Sequence, residues 1–148
     1  MKRFAFTLTL TLTLTLLLST SMWAQSYSFQ TINYPGDTFT QLLGINNSSL
    51  IAGYHNFNQN SGFTLVLPND FTTENYPNSM MTQVIGINNH GTTDGFYVDN
   101  AGNTHGFYFI KGTSPKGPFV NVDYPGTVFN QFLGQNDMGQ ASGSYSMS

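Results

Sequence analysis

One glycine-punctuated segment occurs three times in this chain, and it is the unit from which the chain is built. The copies are Gln41–Tyr54, Gln83–Tyr97 and, more weakly, Gln131–Tyr145, and in each the second glycine follows the first by nine residues. Between the two glycines lies an Asn-rich stretch, which reads Asn-Asn-His-Gly at residues 88–91. Because Asn and Gly tolerate positive φ, this stretch is typical of a hairpin turn. We therefore predict three β-hairpins.

Two further elements recur around the hairpins. Tyr-Pro pairs begin at Tyr34, Tyr76 and Tyr124, each preceded by a short segment that starts with Phe. A Gly-Phe segment follows the first two hairpins, at Ser61–Leu67 and at 105–110. A period of 42 to 48 residues between the Tyr-Pro pairs indicates a repeat architecture.

Each element is predicted to be a short strand, because it is rich in β-branched and aromatic residues and is bounded by Gly, Pro, Asn or Asp. No helical periodicity follows residue 25. Each full repeat supplies four strands, and we expect eleven in all, the first at Tyr27–Tyr34. The repeats are predicted at about 27–67, 68–110 and 117–148 of a single β-repeat domain, 25–148.

The first 24 residues have the order of a secretory signal peptide. Lys2 and Arg3 precede an apolar run from Phe4 to Leu18, and small residues end in a cleavage site after Ala24. The run is shorter than the span of about 20 residues that a bilayer needs. The chain has no cysteine. We expect a secreted protein, extracellular or periplasmic, with no membrane attachment after cleavage.

Charge excludes one class of partner. Without Lys2 and Arg3 the formal charge falls from −3 to −5, and the basic residues left are Lys111 and Lys116. Phosphate binding needs clustered Lys and Arg, so we expect no nucleic-acid partner.

The repeated motifs resemble those of a known family. Gly-Ile-Asn-Asn at 44–47 and 86–89, His-Gly-Phe at 105–107 and Phe-x-x-x-x-Tyr-Pro-Gly at 119–126 are similar to the bacterial extracellular HAF repeats, named for a His-Ala-Phe triplet. The resemblance spans essentially all of the mature chain. It implies secretion and a β-propeller-like array, and it implies no established activity.

The predicted fold is all-β, with tandem four-stranded antiparallel repeats in a propeller-like array of about three blades, the third incomplete. Propellers close with about 4 to 8 blades. We therefore expect a fragment, an irregular closure, or a homo-oligomer in which another copy completes the ring. A β-trefoil, which also uses three four-stranded repeats, is the alternative.

Candidate binding residues recur on one face of such an array. Tyr34, Tyr76 and Tyr124 offer flat apolar area with a hydroxyl, and Asp99 and His105 lie nearby. These residues suit an extracellular polysaccharide or a protein partner. The favoured alternative is that each tyrosine packs on its neighbouring proline and has a structural role.

Catalytic and metal chemistry have little support in the sequence. The three histidines lack metal-ligand spacing, and residues 99–103 lack the alternating carboxylates of a calcium loop. We expect no metal and no cofactor, and a non-catalytic binding or structural module. The alternatives are a polysaccharide hydrolase or lyase, or a truncated fragment without function. An enzyme should gather at least two of five groups into one concave pocket where their titration is perturbed: Asp37, Asp94, Asp99, Asp123 and His105.

Overall fold

The computed structural model describes residues 26–111 and 119–147. Within these ranges all regular secondary structure is β-strand. No helix in the described ranges is long and apolar enough to cross a bilayer. The predicted signal peptide lies outside the described residues. All described strands belong to the compact unit Ile32–Ser148.

The first sheet is a four-stranded antiparallel meander in which each strand pairs with the next one along the chain. Its strands are β1 (Thr40–Ile45), β2 (Leu50–His55), β3 (Ser61–Val66) and β4 (Asp70–Thr73). This arrangement is the four-strand cassette that the sequence repeats predict.

The second sheet has six strands and contains the same meander. Its first four strands are β5 (Met81–Ile87), β6 (Thr93–Val98), β7 (Thr104–Phe109) and β8 (Phe119–Val122). The last two form a hairpin, β9 (Phe129–Gln135) and β10 (Ala141–Ser146). A single parallel bridge, Thr104 to Phe129, joins this hairpin to β7.

All three hairpins have the same turn. The side-chain oxygen of the first asparagine accepts two backbone N–H bonds across the turn at 3.0–3.1 Å, in Asn46, Asn88 and Asn136. The fourth turn residue has positive φ, which Gly91 (78°) and Gly139 (76°) adopt without strain. Ser49 adopts the same conformation in the first hairpin, at φ 60°. The predicted hairpin turns are therefore confirmed.

The second glycine of each copy is required by a close backbone approach. Every hairpin contains a β-bulge next to this glycine, and the bulge brings the backbones of the two strands close together. A Cβ would lie 2.0 to 2.1 Å from the glutamine carbonyl oxygen in the pairs Gly53–Gln41, Gly95–Gln83 and Gly143–Gln131. No side chain fits in that space, so the recurrent glycine marks the bulged hairpin.

The core consists of two clusters. One lies at the contact of β2 with the second sheet and has Ala52, Val84, Ile87, Tyr97 and Phe107 as its buried members. The other lies within the first repeat and is built from Ile51, Phe63 and Leu65. The equivalent phenylalanines of the Gly-Phe strands, Phe63 and Phe107, are fully buried.

The expected first strand, Tyr27–Tyr34, is wrong. Residues 26–34 have no regular secondary structure, and the described residues contain ten strands, not eleven. The equivalent segments β4 and β8 each pair with a Gly-Phe strand, β3 and β7. No described strand provides that partner to Tyr27–Tyr34, and a strand without a ladder is not stable on its own.

Candidate functional site

The Tyr-Pro pairs form tight turns at one end of the sheets. In each turn the backbone N–H three residues after the tyrosine donates to the tyrosine carbonyl at 3.1–3.4 Å. Positive φ follows the proline at Gly36, Asn78 and Gly126, as in a type II turn. We call this end, with the β2–β3 loop (56–60) and the β6–β7 loop (99–103), the Tyr-Pro face. The opposite end, with the three hairpin turns, is the asparagine face.

Each Tyr-Pro tyrosine is stacked on a ring from the second strand of a hairpin. The two rings are 3.5 to 4.2 Å apart between centroids and within 6° of parallel in the pairs Tyr34–His55, Tyr76–Tyr97 and Tyr124–Tyr145. One face of each candidate tyrosine is therefore used inside its own repeat. These rings fix the turn to the sheet through an aromatic partner on the second strand of the hairpin.

His105 lies between two carboxylates on the Tyr-Pro face. Its Nδ1 is 2.7 Å from Asp123 Oδ2, and its Nε2 is 3.2 Å from Asp99 Oδ2. Its ring stacks on Tyr97 with centroids 5.0 Å apart, and the Gly106 N–H donates to Asp123 Oδ1. Asp99, Asp123 and His105 thus meet in one cluster. They are three of the five groups that an enzyme was expected to bring together.

The electrostatics of this cluster favour a fixed structural arrangement. The Asn103 amide side chain, its backbone N–H and His105 hold the pKa of Asp99 at about 2. Burial alone would lower the pKa of His105, but its hydrogen bonds to Asp123 and Asp99 raise it above the usual value. Both ring nitrogens already have carboxylate partners, so neither is open to a substrate proton.

The other two groups lie elsewhere. Asp37 pairs with His55 Nδ1 at 2.9 Å in the first repeat, and the His55 bond, followed by the Phe39 N–H, lowers its pKa. Asp94 is fully buried, and neither of its carboxylate oxygens has a hydrogen-bond partner among the described residues. Burial raises the pKa of Asp94 to about 6, against an opposing effect of the Gly86 backbone.

Glu74 is a second buried carboxyl, at the contact of the two sheets. It accepts a short hydrogen bond from the Thr93 hydroxyl, and its own N–H donates to the Gly62 carbonyl at 2.8 Å. Burial raises its pKa to about 7, against the opposing effects of Thr93 and Lys111. The equivalent positions, two residues before the other Tyr-Pro pairs, hold Ile32 and Val122. Glu74 thus occupies an apolar position of the repeat.

A polar groove lies on the Tyr-Pro face between the first and second repeats. Its volume is about 550 Å³, and its walls are the β2–β3 loop and the Tyr76 turn. Five amide side chains line it together with the rings of Tyr76 and His55: Asn56, Gln59, Asn60, Asn75 and Asn78. We call this site the amide groove.

Hydrogen bonds fix part of the amide groove and leave part of it open. Asn60 donates to the Asn56 carbonyl and accepts from Gln83, both at 2.6 Å. Asn75 accepts from the Gly62 N–H at 2.8 Å. The side-chain amides of Gln59 and Asn78 have no hydrogen-bond partner among the described residues. Two residues of the groove thus keep side-chain donors and acceptors available, beside amides that are fixed by hydrogen bonds.

A second, less polar cleft of about 310 Å³ lies beside β10. Tyr124 and Tyr145 border it and are 51% and 49% exposed. In the other repeats the equivalent tyrosines Tyr34 and Tyr76 also contact the phenylalanine of a Gly-Phe strand. The cleft beside β10 occupies the position next to Tyr124 that corresponds to these phenylalanine contacts in the other repeats.

The five predicted binding residues do not form one site. His105 and Asp99 are in contact, Tyr76 borders the amide groove, Tyr124 borders the cleft beside β10, and Tyr34 packs within the first repeat. The groove amides were missed. Their signal was the run Asn-Phe-Asn-Gln-Asn at 56–60, which is dense in amides for a single loop.

No protein-family model, curated protein or solved structure matches this chain. Among the described residues, no group of three or more His, Asp or Glu side chains is placed to hold a metal ion.

Proposed function

We propose that this chain is an exported, non-catalytic module that binds a neutral extracellular polysaccharide in the amide groove of a propeller-like array. The amide groove is the observation that carries the proposal, because it places open amides beside aromatic rings on a rigid wall. Export rests on the signal-peptide pattern of residues 1–24 and on the resemblance to the HAF repeats.

The strand pairing favours a propeller-like array over a trefoil. Strands β1–β4 and β5–β8 are meanders in which sequential strands are neighbours, as in a propeller blade. The first strand of a repeat packs on the second strand of the preceding one, since β5 contacts β2 and β9 contacts β6. This repeated contact supports an array in which each blade packs on the preceding blade in the same way.

The chemistry of the amide groove suits sugar hydroxyls. Each hydroxyl of a sugar both donates and accepts, and an Asn or Gln side chain offers both functions in one plane. The open amides of Gln59 and Asn78 supply such groups, and Tyr76 adds apolar ring area with a polar tip. The mature chain carries a formal charge of −5. A neutral polymer therefore fits better than a polyanion.

The proposal is non-catalytic because the five groups weighed for an enzyme, and also Glu74, are paired or buried. Asp99 and Asp123 hold His105 through both ring nitrogens. Asp94 is fully buried, and Glu74 accepts a hydrogen bond from Thr93 at the contact of the two sheets. A glycosidase needs two carboxyl groups that face each other across a cleft.

A polysaccharide pull-down tests this proposal. The secreted chain is incubated with cellulose, xylan, β-glucan and chitin, and the bound fraction is measured against concentration. We expect the double variant Gln59→Ala, Asn78→Ala to raise the dissociation constant at least ~10-fold, since each lost hydrogen bond is worth about 1 kcal/mol.

The matched control is Asn58→Ala. Asn58 lies in the same loop and is exposed, but its side chain does not line the amide groove. It should bind as well as the parent. Equal affinity of the double variant and the parent, or no retention on any of the four polymers, would refute the proposal.

A further inference from the structure

We propose that the chain associates with a second copy of itself, head to tail, through the two uncovered ends of its repeat array. The proposal rests on the propeller-like array above but not on the polysaccharide site. It is argued from the contacts that successive repeats make with each other inside one chain.

A fixed set of hydrogen bonds joins each hairpin turn to the next on the asparagine face. The first asparagine of each turn donates its side-chain N–H to the backbone carbonyl of the equivalent asparagine in the next repeat. The backbone N–H of the second turn residue donates to the side-chain oxygen of the second turn residue in the next repeat. The bonds are Asn46 to Asn88 (3.1 Å), Asn88 to Asn136 (3.4 Å), Asn47 to Asn89 (2.8 Å) and Asn89 to Asp137 (2.7 Å). We call this set the asparagine ladder.

The asparagine ladder has a donor end and an acceptor end. At the third hairpin, Asn136 turns its side-chain N–H back to Gln140 at 2.7 Å, and the Asp137 N–H has no partner among the described residues. At the first hairpin, the Asn47 side chain likewise has no partner in the described part of the chain. The two ends are complementary, because the Asp137 N–H is an open donor at one end and the Asn47 side-chain oxygen is an open acceptor at the other.

The strands behind the ladder are uncovered at the same two ends. Every residue of β10 is exposed, whereas the equivalent strand β6 is buried at five of six positions. On β1, Ile45 is 65% exposed, whereas its equivalent Ile87 is 8% exposed. The faces that repeats bury against each other are therefore bare on β1 and on β10.

The contacts between successive repeats of one chain indicate which residues of two copies would meet. Val84 of β5 and Ala52 of β2, in the preceding repeat, are buried members of the same core cluster. Leu42 is the equivalent of Val84, and Ser142, also small, is the equivalent of Ala52. The junction therefore places Leu42 of one copy over Ser142 of the other, with the Asp137 N–H donating to the Asn47 side-chain oxygen.

Such an interface is heterologous, so it repeats until it closes into a ring or extends into a filament. The described residues of one copy contribute three hairpins, so those of two copies contribute six. Six lies inside the range of about 4 to 8 blades at which propellers close, and the nine hairpins of three copies lie outside it. We therefore expect a closed dimer.

Sedimentation equilibrium of the full chain, expressed with its N-terminal segment and purified from the culture medium or periplasm, tests this inference. The parent should be a concentration-dependent dimer. Leu42→Arg and Ser142→Arg should each weaken the dimer at least ~100-fold, because each buries an unpaired charge at both junctions. Val120→Arg, on the exposed edge strand β8, is the matched control and should leave the dimer intact.

Mixing the two variants makes the test specific for a head-to-tail contact. Leu42→Arg keeps an intact β10 face, and Ser142→Arg keeps an intact β1 face. Their mixture should regain a one-to-one complex through one intact junction, while each alone stays monomeric with a parent-like circular dichroism spectrum. A monomeric parent, a dimer that both substitutions leave intact, or a mixture without complex would overturn the inference. None of these results would affect polysaccharide binding by the amide groove.

Discussion

Replacing Glu74 with Gln should remove a pH dependence that the buried carboxyl imposes on folding. Glu74 is enclosed at the contact of the two sheets and accepts from the Thr93 hydroxyl. Glutamine has nearly the same shape, keeps an acceptor for Thr93 and cannot ionise. The variant therefore isolates the cost of charging this side chain in the folded state.

The magnitude follows from the raised pKa. Burial moves the pKa of Glu74 from 4.5 to about 7, and one pKa unit corresponds to about 1.4 kcal/mol. The folded state binds the proton more tightly than the unfolded state, so stability falls as the pH rises between these two values. The loss from Glu74 should reach roughly 3 kcal/mol above pH 7 and be absent below pH 4.5.

Urea denaturation followed by circular dichroism, at a series of pH values from about 4.5 to about 8.5, measures this effect. The free energies of unfolding of the parent and of Glu74→Gln should diverge with rising pH, with the variant more stable at the alkaline end. Asp70→Asn, at an exposed position of β4, is the control and should run parallel to the parent. Parallel curves for Glu74→Gln and the parent would refute the reasoning.

Three other substitutions test the repeat geometry by urea denaturation. Gly95→Ala should lower the free energy of unfolding by at least ~2 kcal/mol, because its Cβ would lie 2.0 Å from the Gln83 carbonyl oxygen. Gly91→Ala, in open space at φ +78°, should lower it by only about 1 kcal/mol. Equal losses for the two variants would contradict the bulge argument. Ser49→Gly should stabilise by up to ~1 kcal/mol, since it relieves a positive φ that glycine adopts in the other two turns, and a loss of stability would count against it. His105→Ser should reduce stability most near about pH 6 and progressively less as the pH rises through the raised pKa of the histidine; a deficit that grows with pH would contradict this.

The sequence predicted the local structure well because turns depend on a few residues. The Asn-rich turns of the hairpins and the Tyr-Pro turns are confirmed, since positive φ and a missing proline N–H act locally. The all-β composition of the described residues is likewise confirmed. The repeats also predicted the meander of four strands, because equivalent segments pair in equivalent order.

What sequence reasoning missed depends on contacts distant in the chain. The expected strand Tyr27–Tyr34 is wrong because strand formation needs a paired ladder, which no propensity supplies. The role of the second glycine follows from the opposite strand, since the obstructing atom is a glutamine carbonyl twelve residues earlier. The stacking of Tyr76 on Tyr97 also became visible only in three dimensions.

The candidate site was only partly predictable for the same reason. Tyr76 was selected because it recurs, yet the groove it borders is formed by the loop of a different repeat. Recurrence favours residues that every repeat needs for folding, such as the stacked tyrosines. The amide groove uses residues that differ between repeats, such as Gln59 and Asn78, and these leave no periodic signal.

Intramolecular cross-linking tests most directly whether successive cassettes pack in the same way. The chain contains no cysteine, so pairs can be introduced at the exposed third residues of the hairpin turns, Ser48, His90 and Met138, and joined with a short bismaleimide. The pairs 48/90 and 90/138 should cross-link within one chain with similar efficiency, and the pair 48/138 should not. Cross-linking of 48/138 within one chain, or failure of either adjacent pair, would contradict a tandem array of equivalent repeats.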